Sequence, residues 1–493
     1  MISRAYILYL TMVPLFSSQL RRAIMRPMFV NAFTAQRTSL MVQKYSYTRC
    51  NFPGAFNKSR LYSTKEEIEI DKENLHESLR KYFMERETDG ILLLGPSLIN
   101  EFNADEVISS VLQATNNNKG QAASILNAVI ASCSLNSKDQ ESAASFAWEL
   151  YTSWEECADE LGLNPDMVTF CSTYSALMRY IDEIENKEFF LDCAQDVLER
   201  AQRYTKKIAG SKRRKLLNSI SRKSGSTPTM AKDCLDELQA NYGEDFDVLF
   251  ENDEVLVINK PSGMVCYHTR KTTDGKIGRK KKSSKKKKKG ETGGIIMSDI
   301  SLEDALIDIG CSLSTLNPDA LGIVHRIDRG TSGCLILPKT NDAHARLLTQ
   351  FFTRQAKKEY KALVRNESVA AKQMDLTQGV IDDNVGGRPA LSFYQVEEAV
   401  GENGYILNVE TKTGRKHQVR AHCAALGIPI FLDPLYDDTK SENSEVNKVL
   451  NTINDGRRFF LHASSLRIQD FNIDVTAPIP QWWKPIMKDI AKL

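Results

Sequence analysis

Leu321-Gly322-Ile323-Val324-His325-Arg326-Ile327-Asp328-Arg329-Gly330-Thr331-Ser332-Gly333-Cys334-Leu335-Ile336-Leu337 sets a dense polar loop between two apolar runs. Both runs are short and of strand type. The loop packs His325, Arg326, Asp328, Arg329, Thr331 and Ser332 around two glycines. Such a density of reactive side chains is unusual for a plain turn. A carboxylate flanked by guanidinium groups is favoured in its ionised form. That suits a nucleophile or a charge stabiliser. An ion pair on a surface loop would look the same from this stretch alone.

Working outward, the apolar run Val255-Leu256-Val257-Ile258 breaks at Asn259-Lys260-Pro261-Ser262-Gly263, which reads as a strand-end turn. Downstream, Asn341 and Asp342 can cap a helix over Ala343–Gln355, with Leu347, Leu348, Phe351 and Phe352 on one stripe. Lys357 to Val364 reads as a strand in which Tyr360, Ala362 and Val364 share a face. Tyr360 fits either a core tyrosine or a ring set against a nucleobase. Tyr405 to Lys412 is another strand, entering Thr413-Gly414-Arg415-Lys416-His417-Gln418-Val419-Arg420-Ala421-His422. Gly414 gives the turn, and a helix follows to about Leu426. Arg415, Lys416, His417 and Arg420 cluster at its start, either as a donor patch for phosphate or carboxylate or as a solvated helix face.

In chain order these segments are Asn-Lys-Pro-x-Gly, His-Arg-x-Asp-x-x-Thr-Ser-Gly, Lys-x-Tyr and Thr-Gly-Arg-x-His-Gln-x-Arg. Together they resemble the RluA-like family of RNA pseudouridine synthases, over residues 245–493. The resemblance implies an α+β catalytic domain around a mixed, largely antiparallel sheet. The strand-like runs at 357–364, 391–397 and 404–412, and the alternating stretch Phe471–Val475, suit it. It implies that Asp328 is the nucleophile toward uridine, that Arg420 pairs with it, and that Tyr360 packs on the flipped base and can assist proton removal. Arg326 would occupy space beside that base. His325, Thr331, Ser332, Arg415, His417 and Gln418 would contact substrate. RNA is the implied partner, whether ribosomal, transfer or messenger. No metal, nucleotide or organic cofactor is implied, because the isomerisation is redox-neutral. Two departures stand out: Ile327 replaces the usual leucine, and Leu432 precedes Asp433 where relatives usually have glycine.

The remainder of the 493 residues makes this a multi-domain chain. The first 65 residues hold ten Lys or Arg and no acid, a composition that reads as an organelle transit peptide. A mitochondrial address is expected, with a plastid address or a basic nucleic-acid-binding tail as alternatives. Residues 66–205 read as helical and acidic, with apolar residues at three- and four-residue spacing. Leu126–Ile130 and Phe170–Tyr174 open two similar units around Gly162-Leu163-Asn164-Pro165-Asp166, which resembles pentatricopeptide-repeat proteins. An unrelated helical bundle fits equally. Residues 206–244 read as a linker, and 271–295 as a disordered Lys-rich insertion.

The net charge of +2 hides this asymmetry: without the two basic stretches at 1–65 and 276–289, the rest carries −18. RNA must therefore be held by a local patch. The ten cysteines form no CxxC and there is no HExxH, so neither a disulfide framework nor a metal site is expected. No stretch approaches the roughly 20 apolar residues of a membrane span. A monomer is the default expectation.

Overall fold

The computed structural model describes residues 74–86, 88–135, 139–208, 230–268, 301–317, 322–366, 377–438 and 444–493, with Ile70 and Ala320. The expected transit segment and the Lys-rich stretch at 271–295 lie outside the described residues.

The helical half runs through α1 (Leu75–Arg86), α2 (Thr88–Glu101), α3 (Ala104–Ala114), α4 (Lys119–Cys133), α5 (Gln140–Leu161), α6 (Met167–Met178) and α7 (Lys187–Ile208). Each start from α3 to α6 is set by a side-chain acceptor: Asn103, Asn118, Asp139 and Asp166 bond the N3 backbone of their helices. α5 stops at Gly162, whose φ of +59° is cheap only for glycine. α4 packs against α5, and α6 against α7, so the two units seen in the sequence are successive helix pairs. They are joined where buried Asn127 accepts from the Thr169 hydroxyl at 2.7 Å and donates to Asp166 at 3.2 Å.

The C-terminal half starts earlier than the sequence suggests. The expected linker at 206–244 contains the end of α7 and a helix, α8 (Leu235–Tyr242). Ala231, Leu238 and Tyr242 from that stretch are buried against the strands that follow. Next come β1 (Asp247–Glu251), β2 (Val255–Lys260), α9 (Leu302–Asp308), β3 (Ser332–Pro338), α10 (Asn341–Phe352), β4 (Lys357–Arg365), β5 (Gln378–Ile381), β6 (Ser392–Val400), β7 (Gly404–Thr411), α11 (Gln418–Ala425), α12 (Glu445–Asn451), β8 (Leu461–Ile468), β9 (Ile473–Thr476) and α13 (Trp483–Ala491). Two details differ from the sequence reading. Thr340, not Asn341 or Asp342, caps α10, because Asn341 serves Ser314 and Thr315 while Asp342 serves Tyr174 and Arg346. The alternating stretch Phe471–Val475 begins as a 3-10 turn, and its strand starts only at Ile473.

The strands form one sheet in the order β1-β2-β3-β8-β4-β7-β6-β5, with β9 added on β8. Every pairing is antiparallel except β3 with β8. β2 and β3 are buried along their whole length. Leu256, Ile258, Leu335 and Leu337 face one apolar layer, while Val255, Val257, Cys334 and Ile336 face another. That explains why these strands read as unbroken apolar runs.

The helical half is fixed to this sheet domain, and residues 68–493 make one compact unit. α6 lies on α10. Ser175 donates to Thr349 at 2.9 Å, Thr349 donates to the Cys171 carbonyl at 3.1 Å, and Tyr174 bonds Asp342. Leu316 and Ala345 of the sheet domain join the core of the helical half. No helix of the described residues is long and apolar enough to cross a membrane.

The parallel contact is only two residue pairs long, Ser332 with His462 and Gly333 with Ala463. Gly333 has φ of +108°, and a Cβ there would stand 2.2 Å from the Ala463 carbonyl oxygen. Neither strain nor space admits a side chain. Gly333→Ala is therefore expected to cost about 3 kcal/mol or more, from backbone strain plus overpacking. Urea unfolding of the full chain followed by tryptophan fluorescence measures this.

Candidate active site

The loop between Val324 and β3 carries Asp328, whose side chain is 23% exposed. Its Oδ2 accepts from Arg420 Nη1 at 3.0 Å. Arg420 sits in the first turn of α11 with its side chain only 4% exposed. The other edge of that guanidinium is taken by Asp433, through Nε at 2.7 Å and Nη2 at 2.8 Å. Asp433 is fully buried and also accepts from the backbone of Leu435 and Tyr436. Phe459 and Tyr436 cover the faces of the guanidinium at 4.5 and 5.3 Å. Burial works against the charge of Arg420, but the hydrogen bonds and charges of Asp433 and Asp328 outweigh it and hold the cation firmly. One planar fork thus spans two carboxylates, a geometry that lysine cannot supply.

The turn that holds Asp433 explains the Leu432 departure. Leu432 adopts φ of +63°, the left-handed region that glycine takes without cost. Here the leucine is buried among the apolar residues around β4 and β7, and that contact offsets the strain.

The Asn-Lys-Pro-x-Gly turn braces the Asp328 loop from below, which its sequence did not reveal. Lys260 ends β2 with no exposed surface. Its ammonium donates to the carbonyls of Pro261 and Met264, each at 2.8 Å, and of Arg329 at 3.4 Å. Burial pushes its pKa down to about 8, against the pull of Cys266 and Asp328. Ser262 donates to the Gly330 carbonyl at 2.5 Å. Gly330 itself has no room for a Cβ, which would meet the Phe459 ring at 2.2 Å.

Tyr360 lies on β4, partly buried between two apolar layers. Burial and the nearby Asp328 charge push its phenol pKa well up, so the hydroxyl stays protonated. His417 stands at the start of α11 in a left-handed conformation, φ +60°, with Nε2 at 3.7 Å from Asp328 Oδ1. Burial lowers its pKa more than Asp328 raises it, and Arg420 and Lys416 add to the lowering. Arg326 and Arg329, which flank Ile327 and Asp328 in the loop, and Lys416, next to His417, are exposed. Arg415 is half-buried, and its Nε donates to the Pro389 carbonyl at 2.8 Å.

Four residues expected to touch substrate are turned into the protein instead. Gln418 is saturated: it accepts from the Thr413 hydroxyl and the Arg415 backbone, and donates to the Leu391 carbonyl and Ser392. Ser332 bonds His462 Nδ1 at 2.9 Å across the parallel contact, and His462 Nε2 reaches the Ala477 carbonyl at 3.2 Å. Thr331 is buried, with its backbone N–H on the Asp328 carbonyl. His325 Nε2 accepts from the Ile336 backbone at 3.0 Å, and its ring stacks on Phe351 at 4.3 Å.

A profile of the family described as RNA pseudouridylate synthase matches residues 254–425. The C-terminal half is similar to the RluA-like pseudouridine synthases. Ribosomal large subunit pseudouridine synthase D of Xanthomonas campestris pv. campestris is 29% identical over 261 residues, 50% of this chain and 70% of its own length. Ribosomal large subunit pseudouridine synthase C of Pasteurella multocida is 29% identical over 255 residues, 49% of this chain and 66% of its own. The solved human RNA Pseudouridylate Synthase Domain Containing 4 is 19% identical, with 53% of this chain and 97% of that one covered and a TM-score of 0.37. The two bacterial synthases each match about half of the chain, and the family profile lies wholly in its C-terminal half.

The neutral histidines behind this synthase loop make its fold sensitive to acid. Burial lowers His325 and His344 to about 3 and His462 to about 4, against 6.5 for a free histidine. Between those values the unfolded chain binds more protons than the folded one, so stability falls as pH falls. The slope is roughly 1.4 kcal/mol per pH unit for each histidine. Urea midpoints are expected to drop steadily from pH 6.5 to 4, and His462→Gln should show a shallower drop.

Proposed function

We propose that this chain converts specific uridines of organellar RNA to pseudouridine, with Asp328 as the nucleophile. The observation that carries the reading is the Asp328 carboxylate, part open to solvent and gripped on one oxygen by an arginine that is itself locked by Asp433. The reaction breaks the uracil N1–ribose C1′ bond and forms a C5–C1′ bond. The C5 proton leaves and N1 gains one, so atoms and electrons balance without a cofactor. Held by Arg420, Asp328 keeps a lone pair aimed outward for attack. Tyr360, with its phenol protonated, packs its ring on the displaced base rather than serving as a base. Arg326 fills space beside the flipped uridine.

RNA is gripped by the C-terminal half. Residues 66–205 carry 27 acidic and 10 basic side chains, which opposes contact with phosphates. Exposed Arg326 and Arg329 on the Asp328 loop and Lys416 beside His417 supply the local positive charge. The relatives named for the large ribosomal subunit make ribosomal RNA the first substrate class to examine. The acid-free first 65 residues support a mitochondrial address.

Pseudouridine mapping in mitochondrial RNA from cells carrying wild type or Asp328→Ala tests this. One or a few sites, in ribosomal RNA, are expected to vanish with the variant. An unchanged map with a folded, abundant variant would overturn the reading; a lost site in transfer or messenger RNA would correct the substrate class. Arg420→Lys keeps the charge but cannot span both carboxylates. Its kcat is expected to fall roughly 10²-fold, the scale of one lost active-site donor, with RNA affinity kept. Tritium release from RNA made with 5-tritiated uridine, beside filter binding, separates the two. Asp433→Asn is expected to lower kcat in the same assay and to cost about 2 kcal/mol of stability, since Arg420 loses a charged, buried partner.

A further inference from the structure

The segment after Lys260 runs beside the Asp328 loop in the opposite direction. Gly263 N–H donates to the Arg329 carbonyl at 2.8 Å, and Arg329 Nε donates back to the Gly263 carbonyl at 3.0 Å. Cys266 Sγ reaches the Ile327 carbonyl at 3.5 Å. Arg326 Nη1 donates to the Tyr267 hydroxyl at 3.2 Å. Numbers rise on one side as they fall on the other, so Tyr267 is the last rung, opposite Arg326. The rail is itself fixed. Val265 bridges Ser301 in parallel, Leu302 N–H donates to the Val265 carbonyl at 2.9 Å, and Glu303 N–H to the Cys266 carbonyl at 3.1 Å.

This last rung differs in kind from the others. The earlier ones end on backbone carbonyls, and this one joins two side chains. The Arg326 guanidinium also lies over the Tyr267 ring, 5.1 Å from its centroid. The ring is partly buried against the layer formed by Leu256, Leu302 and Leu335, whereas Arg326 is exposed. Among the described residues no carboxylate pairs with Arg326. A neutral aromatic partner keeps an arginine in place without cancelling its charge. At an exposed position such a contact is weak enough to be exchanged for another. A carboxylate would have held the group and neutralised it; a small residue would have left it to wander through its rotamers.

We propose that Tyr267 is a positioning residue that holds Arg326 at the mouth of the site in the RNA-free enzyme and releases it when a uridine flips out. This rests on the role given to Arg326 above. Preorganisation of this kind reduces the entropy lost as the flipped state forms, so it acts on the step after RNA has bound.

The test is a double-mutant cycle in the full chain, with tritium release from ribosomal RNA made with 5-tritiated uridine. Tyr267→Ala is expected to lower kcat about tenfold, with KM changed less than about twofold. Tyr267→Phe keeps the ring and should retain most of the rate. In an Arg326→Met background, Tyr267→Ala should change the rate by less than about twofold, because the group it positions is gone. Losses that multiply in the double variant would overturn the proposal. So would a Tyr267→Ala loss that appears in KM alone, or one accompanied by a lowered melting temperature that Tyr267→Phe fails to restore. A wild type that releases no tritium overturns the functional reading and this one with it; a working wild type with multiplying losses overturns this one alone.

Discussion

Two halves of one sheet meet along two residue pairs, and the Asp328 loop is wedged into that meeting. β1, β2 and β3 stand on one side, and β8, β4, β7, β6 and β5 on the other. The seam is parallel and short, so little backbone bonding holds it. Side chains supply the remainder. Ser332 bonds His462 across it, and Arg420 reaches over from α11 to Asp328. Glycines at 330 and 333 let the loop press against Phe459 and Ala463 with no space left over. Asp328 is positioned by the same contacts that join the sheet.

Charge at this seam is organised by burial. Arg420 and Asp433 are both removed from water, where an unpaired ion would be costly, so each requires the other. Asp328 shares the arginine but keeps contact with solvent. Lys260 is a second buried cation, satisfied by carbonyls instead of acids. The arrangement leaves one carboxylate, and only that one in the chain Asp328–Arg420–Asp433, open for chemistry.

Much of this was legible in the sequence, and the remainder was hidden for physical reasons. Asp328 stands out because reactive side chains crowd a short loop between apolar runs, whereas Arg420 and Tyr360 were singled out only by the motifs shared with the RluA-like family. The fully buried β2 and β3 announce themselves as continuous apolar runs. Gln418, Ser332, Thr331 and His325 look equally reactive in a string of letters. Polarity says that a group needs a partner, not whether the partner is RNA or the protein's own backbone. Lys260 and Asp433 were noticed as motif positions, but their burial gave no signal, because charged residues are ordinarily solvated and nothing local marks the exception. The docking of α6 on α10 was hidden too: Ser175 and Thr349 are small polar residues on helices 174 positions apart. Leu432 was noticed as a departure, but only its backbone angle shows what glycine would have been for.

The bridge between Val265 and Ser301 closes the fold across 35 intervening residues, and its two sides are held by backbone bonds into α9. The strip 265–267 is therefore held on two sides at once, by α9 through its backbone and by the Asp328 loop through the Cys266 and Tyr267 side chains. A displacement of α9 would reach the loop through this strip of chain, so a helix far from Asp328 in sequence shares in setting its position.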